Sequence, residues 1–527
     1  MLGKRSTWFA VASVSLMGML FEDDTSGAWN EMFSAPGQPR PIYQRLFAEL
    51  DRYHPSELRQ RTEQLSRTFT ERGVTFAHLG EERPFPLDLV PRLVGALEWD
   101  HLSRGIAQRV RALEAFLGDV YGNRSIFAEG LIPWSVVTSS PHFCRAASGV
   151  EPANGVRIAV SGIDLIRDEV GSFRVLEDNV RIPSGVSYVI ENRRAMTQSF
   201  ASLFSDHRVL PVDSYPARLL GAMRAAAPAG VSEPVVVVLS PGVHNAAYFE
   251  HVLLARMMGV ELVEGRDLLC RSNRVYMRTT NGERPVHVIY RRVDDDWLDP
   301  LQFRPDSVIG VAGLVNAARE GNVAIANGLG NGVADDKLVY TYVPSFIRYY
   351  LGEEPLIDNV ETYRLDDPDV LADVLASLAS YVVKPVDGSG GKGIVIGPQA
   401  DEVSLATVRL AIEASPRSWI AQRPVALSTH PTLVDDRVSP RHIDLRPFAV
   451  NDGTDVWVLP GGLTRVALGE GELVVNSSRG GGSKDTWVLT DETVPPREAL
   501  AAVVQRPRGP MASPRQNDEY PHQEGEQ

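Results

Sequence analysis

Apolar residues recur at three- and four-residue steps over two early stretches. Leu46, Phe47, Leu50 and Tyr53 carry the spacing within residues 43–69, and Leu97, Leu102, Ile106, Val110, Leu113 and Leu117 carry it within residues 88–119. Such stripes predict amphipathic helices packed on a larger body, and no chemistry is assigned to them. The pattern changes after Gly155. Residues 156–166 and 173–179 read as two strands joined by a turn over 168–172. A continuous apolar run at 235–239, a helical stretch from Ala246 to Met258, and further strand patterns at 260–263 and 286–292 predict a βαβ unit with a parallel sheet. Asn331 to Lys337 opens a predicted helix that carries Tyr340, Val343, Phe346 and Ile347. Strands are predicted at 381–384 and 394–396 around a glycine-dense loop, and at 419–425 running into a linker. A hairpin is predicted from 442–450 and 456–460, and a second pair from 463–468 and 472–476.

At 527 residues the chain is long for one core and divides into two or three domains. The expected divisions are an N-terminal extension (1–25), a helical region (26–150), a strand-rich piece (151–205), an α/β domain (206–330), a second body (331–492) and a disordered tail (493–527) rich in Pro, Gln, Arg and Glu. The class is therefore mixed, α+β with α/β parts. A hydrophobic share of 43% and a charged share of 23% are those of a soluble globular protein. The net charge of −14 argues against a nucleic-acid surface but leaves room for a nucleotide pocket built from a few local cations. Two cysteines, Cys144 and Cys270, offer neither a disulfide framework nor metal-ligand spacing, which suits a reducing cytoplasm. Lys4-Arg5 followed by the apolar stretch 8–21 has the look of a weak signal peptide. It is too short to span a bilayer and has no small-x-small cleavage site, so the expected start is Met17 or Met19, with no stable membrane insertion.

Chemistry concentrates in three places. In Lys384-Pro385-Val386-Asp387-Gly388-Ser389-Gly390-Gly391-Lys392-Gly393 the glycines let backbone N–H groups approach anionic oxygens, and Lys384 can place an ammonium on the same phosphates. This is not a dinucleotide fingerprint, because a strand follows it, and it is not a Walker A loop, because no Ser or Thr follows Lys392. A plain hairpin turn is the bland alternative. Glu177 and Asn179, two apart on a strand, share a face, and Asp164 lies on the neighbouring strand, while Asp178 turns away. Two carboxylates and an amide oxygen suit Mg2+; a solvated strand face is the bland alternative. The third place is the α/β unit. There the charged run 290–296 ends a strand, open to substrate contact or to a surface salt-bridge cluster, and the helix after Gly242 presents His244 and Asn245 to an anion. Lys337, in the first turn of its helix, is out of place beside acidic neighbours unless it has a task.

Taken in order, Lys337, Lys384, Gly388 to Gly393, Gln422, Asp444 with Arg446, Arg465 and Asn476 before Gly480 resemble the ATP-grasp superfamily. Asp164, Glu177 and Asn179, which close an ordinary ATP-grasp chain, stand far upstream here. The chain thus resembles the circularly permuted branch, related to glutathionylspermidine synthase and glutathione synthase, over roughly residues 26–490. The resemblance implies a circularly permuted ATP-grasp fold with a substrate domain, and an ATP- and Mg2+-dependent carboxylate–amine ligase working through an acylphosphate. Lys337 and Lys384 would bind phosphates, with Gly388, Ser389, Gly390 and Gly391 covering them; the backbone from Gln422 to Val425 would read adenine, and Asn476 would complete the nucleotide site. Asp164, Glu177 and Asn179 would hold Mg2+. Arg446, Arg465 and Arg181 would meet the γ-phosphate and a small-molecule or peptide carboxylate. Helical or transglutaminase-like partner proteins and a homo-oligomer are compatible with the family. A nucleotide-binding scaffold without turnover, or phosphoryl transfer to a non-carboxylate acceptor, are the alternatives.

Overall fold

The computed structural model describes residues 21–490, apart from 23, 79–80, 389–390, 435–436 and 476–480. Its largest sheet joins strands from both ends of the chain. Leu87–Val94, Gly482–Val488, Val456–Val466, Arg437–Asn451, Asp164–Arg167 and Phe173–Glu177 lie side by side in that order. Val160–Gly162 and Thr429–Val434 also pair with Arg437–Asn451. Asp168 forms the turn that reverses the early hairpin: its Oδ1 accepts from Ser172 N at 2.7 Å, and Gly171 takes a φ of 85°, where a side chain would be strained. The return strand then sets Glu177 directly opposite Asp164.

A second sheet, Glu261–Val263, Val236–Leu239, Val288–Arg291 and Ala324–Ala326, is parallel throughout, as the βαβ pattern predicts. Val236–Leu239 is buried along its length, as a strand covered on both faces should be. Asn327, just past this sheet, accepts from Val160 N and donates to Val160 O and Val180 O, tying the parallel unit to the Asp164–Glu177 hairpin. A third, antiparallel sheet runs Thr362–Arg364, Trp419–Gln422, Val382–Pro385 and Val395–Ile396. Helices Pro368–Ala376 and Glu402–Ala414 cover it over a small separate core that includes Leu365, Val383, Val408, Ile412 and Ala421.

Several elements differ from the pattern. The helix expected over 88–119 begins only at Ala96; Leu87–Val94 is a wholly buried strand, so its alternation is erased. Its pairing slips register between Asp88 and Arg92, which accommodates Pro91, and Leu97 of the presumed stripe is 85% exposed. The helix from Asn331 breaks into Gly332–Asp335, Lys337–Tyr340 and Val343–Phe346, because Asp336 is extended and caps Leu338 N instead of continuing the turn. The second hairpin, over 463–468 and 472–476, is absent. Val456–Val466 runs straight through Gly461-Gly462, and the segment before Asn476 forms no strand. Its real neighbour is Gly482–Val488, whose polar letters concealed it: Lys484 pairs with Asp88 and Asp485 with Arg193, all buried. Arg291 and Arg292 are buried, paired with Asp295 and Glu250, while Asp294 and Asp296 of the same run are exposed. Among the described residues no helix is long and apolar enough to cross a membrane. Of the expected extension (1–25), residues 1–20 and 23 lie outside the described residues and Phe21 and Glu22 pair with Val438, while the tail over 493–527 lies outside the described residues.

Candidate active site

Two cavities meet where the large sheet faces the glycine-flap sheet. The first, about 130 Å³, is lined by Asp164, Glu177, Lys337, Lys384, Gly388, Gly391, Gln422, Val425 and Arg465, all named from the sequence. Ile166, Leu176, Val382, Ile394 and Leu473 add apolar walls of the kind a flat base needs. The second, about 490 Å³, is lined by Asn179, Arg181 and Arg446 and shares Glu177, Lys337, Gly388 and Arg465 with the first. Ser389, Gly390 and Asn476 lie outside the described residues.

Lys384 sits mid-sheet on Val382–Pro385, and burial, aided by Lys337, lowers its ammonium to a pKa of about 8 against the pull of Glu177 and Asp164. Lys384 is half-buried on the wall of the first cavity, where its ammonium is open to an anion. Lys337 opens its own short helix and reaches the flap: Nζ donates to Gly388 O at 2.7 Å and lies 3.4 Å from Glu177 Oε2. Gly391 and Gly393 take φ of 73° and 75°, the left-handed region that lets the flap turn back to Val395–Ile396. Gln422 is buried and spends its side-chain amide on Thr362 Oγ1 at 2.9 Å, leaving the backbone after it to face the cavity.

Opposite the lysines, Asp164 is gripped by two arginines. Arg446 Nε and Nη2 donate to it at 2.5 and 2.7 Å, Arg465 Nη2 donates at 2.7 Å, and Arg465 Nε also bridges both oxygens of Asp444 at 2.9 and 3.0 Å. Burial alone would raise the Asp164 carboxyl, but Arg446 and Arg465 outweigh it and hold the acid well below its usual range. Arg446 Nη2 stands 4.0 Å from Glu177 Oε1. Asp178 turns away as expected and is clamped by Arg109 at 2.6 and 2.7 Å, with Asn359 on the same guanidinium at 2.8 Å. Arg109→Leu would leave that carboxylate buried alone, an expected loss of about 3–5 kcal/mol by chemical denaturation.

Arg181 lies 3.3 Å from Asp294 and 3.8 Å from Asp335. Asp335 and His142, both on the second cavity, were not singled out from sequence. Burial, with help from Asp178, raises the Asp335 carboxyl to about 7 although Arg181 opposes it. Only its place two residues before Lys337 could have drawn attention to it; His142 follows no periodic pattern. Of the helix-terminus pair, Asn245 lines the second cavity and His244 does not.

The circularly permuted ATP-grasp type 2 family matches residues 91–467. The chain belongs to this family. Its largest sheet combines strands from the early and the late part of the described chain. An uncharacterized protein of Mycobacterium tuberculosis is 61% identical over 475 residues, 90% of this chain and 85% of that one. One from Synechocystis sp. is 48% identical over 477 residues, 89% of this chain and 98% of that one. A Frankia alni protein provisionally named a glutamate–cysteine ligase is 45% identical over 473 residues, 89% of this chain and 55% of that longer protein. A solved glutathione synthetase-like effector of Globodera pallida in apo form shares the fold, with a TM-score of 0.52 at 11% identity over 83% of this chain and 98% of that one.

ATP-grasp ligases typically use ATP with Mg2+, and the residues present fit both. For the nucleotide, the fit is the half-buried Lys384 on the wall of an apolar-walled cavity. For the metal, Glu177 stands opposite Asp164, whose two oxygens are engaged by Arg446 and Arg465, and Asn179 brings a side-chain amide to the same cavity. Among the described residues no three His, Cys, Asp or Glu cluster for a metal.

Proposed function

We propose that this ATP-grasp protein is an ATP- and Mg2+-dependent carboxylate–amine ligase acting through an acylphosphate. The observation that carries the reading is the continuity of the two cavities through Glu177, Lys337, Gly388 and Arg465, with Lys384 on the nucleotide side. A carboxylate resists amines because its charge repels them and oxide leaves poorly. Attack of a carboxylate oxygen on the γ-phosphorus, with ADP leaving, removes both problems; the amine nitrogen then attacks the acyl carbon, phosphate leaves and the nitrogen loses a proton.

In this reading Lys337 and Lys384 hold the phosphates, the flap excludes water above them, and the backbone from Arg423 to Val425 meets the adenine edge. Arg446, Arg465 and Arg181 orient the γ-phosphate and the incoming carboxylate, and fixed cations stabilise the charge spread over the transferring group. Asp164, Glu177 and Asn179 would hold Mg2+, which would supply positive charge against the phosphates. Residues 151–205 supply the metal-binding piece, 206–330 the substrate domain and 331–492 the ATP-binding part.

Phosphate release from ATP and Mg2+ that requires both a pooled carboxylate and a pooled amine is the expected result. ATP binding without turnover would overturn the ligase reading in favour of a scaffold, and release with a carboxylate-free acceptor would point to another phosphoryl transfer. ATP affinity is also expected to depend on pH. The Lys384 ammonium, half lost at about 8, is lost as pH rises through that value, so the Kd measured by calorimetry should weaken between about pH 7 and 9.

A further inference from the structure

Amide formation leaves a proton to be placed. The amine nitrogen becomes strongly acidic as it bonds to the acyl carbon, and a group on the cavity wall that accepts its proton speeds the step. Most acids of the second cavity are committed elsewhere. Asp178 is clamped by Arg109, Glu177 lies against Lys337, and Asp294 lies 3.3 Å from Arg181. Asp335 accepts from Val180 N at 2.6 Å and turns its other oxygen toward Arg181 at 3.8 Å. Asp387 is exposed beside the flap. Of the two imidazoles on this wall, His251 is 1% exposed and its Nδ1 lies 2.9 Å from Ser240 Oγ. His142 is half-buried and borders the cavity.

The loop that carries His142 follows the short helix Trp134–Thr138 and is held from two sides. Arg417 donates to Ser139 Oγ at 2.6 Å and to Val136 O at 3.1 Å while pairing with Asp336 at 2.8 Å, so one guanidinium ties this loop to the break that aims Lys337. Phe143 packs against Tyr121 and Trp134, with ring centroids 6.0 and 5.5 Å away. Toward the cavity, a Cβ placed on Gly332 would lie 2.8 Å from His142 Cβ and 3.3 Å from Arg181 Cδ. The bare glycine thus lets the imidazole and the guanidinium stand on one side of it. With Arg181 on the incoming carboxylate, His142 is beside the group that becomes the acyl phosphate. Burial and the Arg181 charge hold the ring below its ordinary value, so at neutral pH it is uncharged and has an acceptor nitrogen; Asp336, Asp387 and Asp295 pull the other way and favour the imidazolium once it forms.

We propose that His142 is the general base of amide formation: its acceptor nitrogen takes the proton from the amine nitrogen as the C–N bond forms and the bond from the acyl carbon to the phosphate oxygen breaks. Phosphate leaves with that electron pair. The imidazolium then gives its proton to solvent as the product departs, and the neutral ring is restored. The proposal rests on the ligase reading and gives it a direction, with the amine entering through the second cavity on the His142 side of the acyl phosphate.

The test compares two nucleophiles in the full chain supplied with ATP, Mg2+ and the pooled carboxylates. Hydroxylamine is uncharged at neutral pH and attacks acyl phosphates unaided, so hydroxamate formation reports the first half of the reaction alone, whereas phosphate release with the pooled amines reports both halves. His142→Gln is expected to lower amine-dependent release about 10²-fold or more while hydroxamate formation stays within about threefold. The fall of the wild-type amine-dependent rate on acidification should flatten in this variant. Added imidazole should restore amine-dependent release in His142→Ala, which serves if the glutamine variant misfolds. Equal loss of both activities in the two variants, loss of neither, or a selective loss in Asp335→Asn instead of His142→Gln overturns the proposal. A wild type that gives no carboxylate-dependent product with either nucleophile would instead sink the ligase reading, so the two failures are distinguishable.

Discussion

Lys384→Ala is expected to lower ATP turnover by about 10²- to 10³-fold or more, since in the proposed role it removes a cation from the phosphates. The effect should appear both in calorimetric ATP affinity and in phosphate release, while circular dichroism stays that of the wild type. Stability should not fall with it. The Lys384 ammonium is depressed to about 8 in the folded chain, so the fold disfavours its charged form and that penalty is present below about pH 8, easing as pH rises toward the unfolded value. Removing the side chain removes the penalty. A thermal midpoint equal to or above that of the wild type at pH 7 is the expected result, and a large drop would mean that Lys384 has a structural counter-charge instead of a ligand.

Glu177→Gln is expected to cost turnover on a similar scale, about 10²-fold or more, through loss of a hard oxygen ligand. Glu177 faces both cavities and stands between Lys337 at 3.4 Å and Arg446 at 4.0 Å. Neutralising it leaves Lys337 Nζ on Gly388 O and Arg446 on Asp164, so neither cation is stranded. The fold should therefore survive, and the mark of the variant is its Mg2+ dependence. The Mg2+ concentration for half-maximal phosphate release should rise at least about tenfold, whereas Lys384→Ala should leave it nearly unchanged.

The residue pattern carried much of this arrangement, for reasons that differ from element to element. The Lys384 strand and flap were readable because a lysine ending an apolar run before dense glycines has few structural explanations, and the structure pairs Val382 with Ile396 and Val383 with Val395 accordingly. The parallel unit was readable because strands covered by helices on both faces appear as unbroken valine runs. The same property hid Leu87–Val94, where burial on both faces erased alternation and the adjoining helix lent it a false period. Gly482–Val488 was hidden by the opposite property, a core strand written in polar letters because Lys484 and Asp485 are neutralised by Asp88 and Arg193.

At the site, motif residues with fixed spacing could be named from sequence, whereas Asp335, His142 and His251 could not. They belong to loops and a helix whose approach to the Asp164–Glu177 hairpin is set by tertiary links such as Asn327 to Val160 and Val180. Lys337 falls between the two cases. Its position in an acidic first turn flagged it, but the break at Asp336 that aims it across the cavity is a matter of local capping and of the Arg417–Asp336 pair at 2.8 Å.

That an early hairpin and late strands of the chain enclose one metal–nucleotide complex is tested most directly by a crystal structure with a nonhydrolysable ATP analogue and Mn2+ in place of Mg2+. The expected result is an anomalous peak about 2.0–2.3 Å from oxygens of Glu177 and Asn179, with the γ-phosphate between Lys337, Lys384 and Arg446. A peak away from Asp164, Glu177 and Asn179, or a nucleotide outside the cavity beneath the flap, would contradict it.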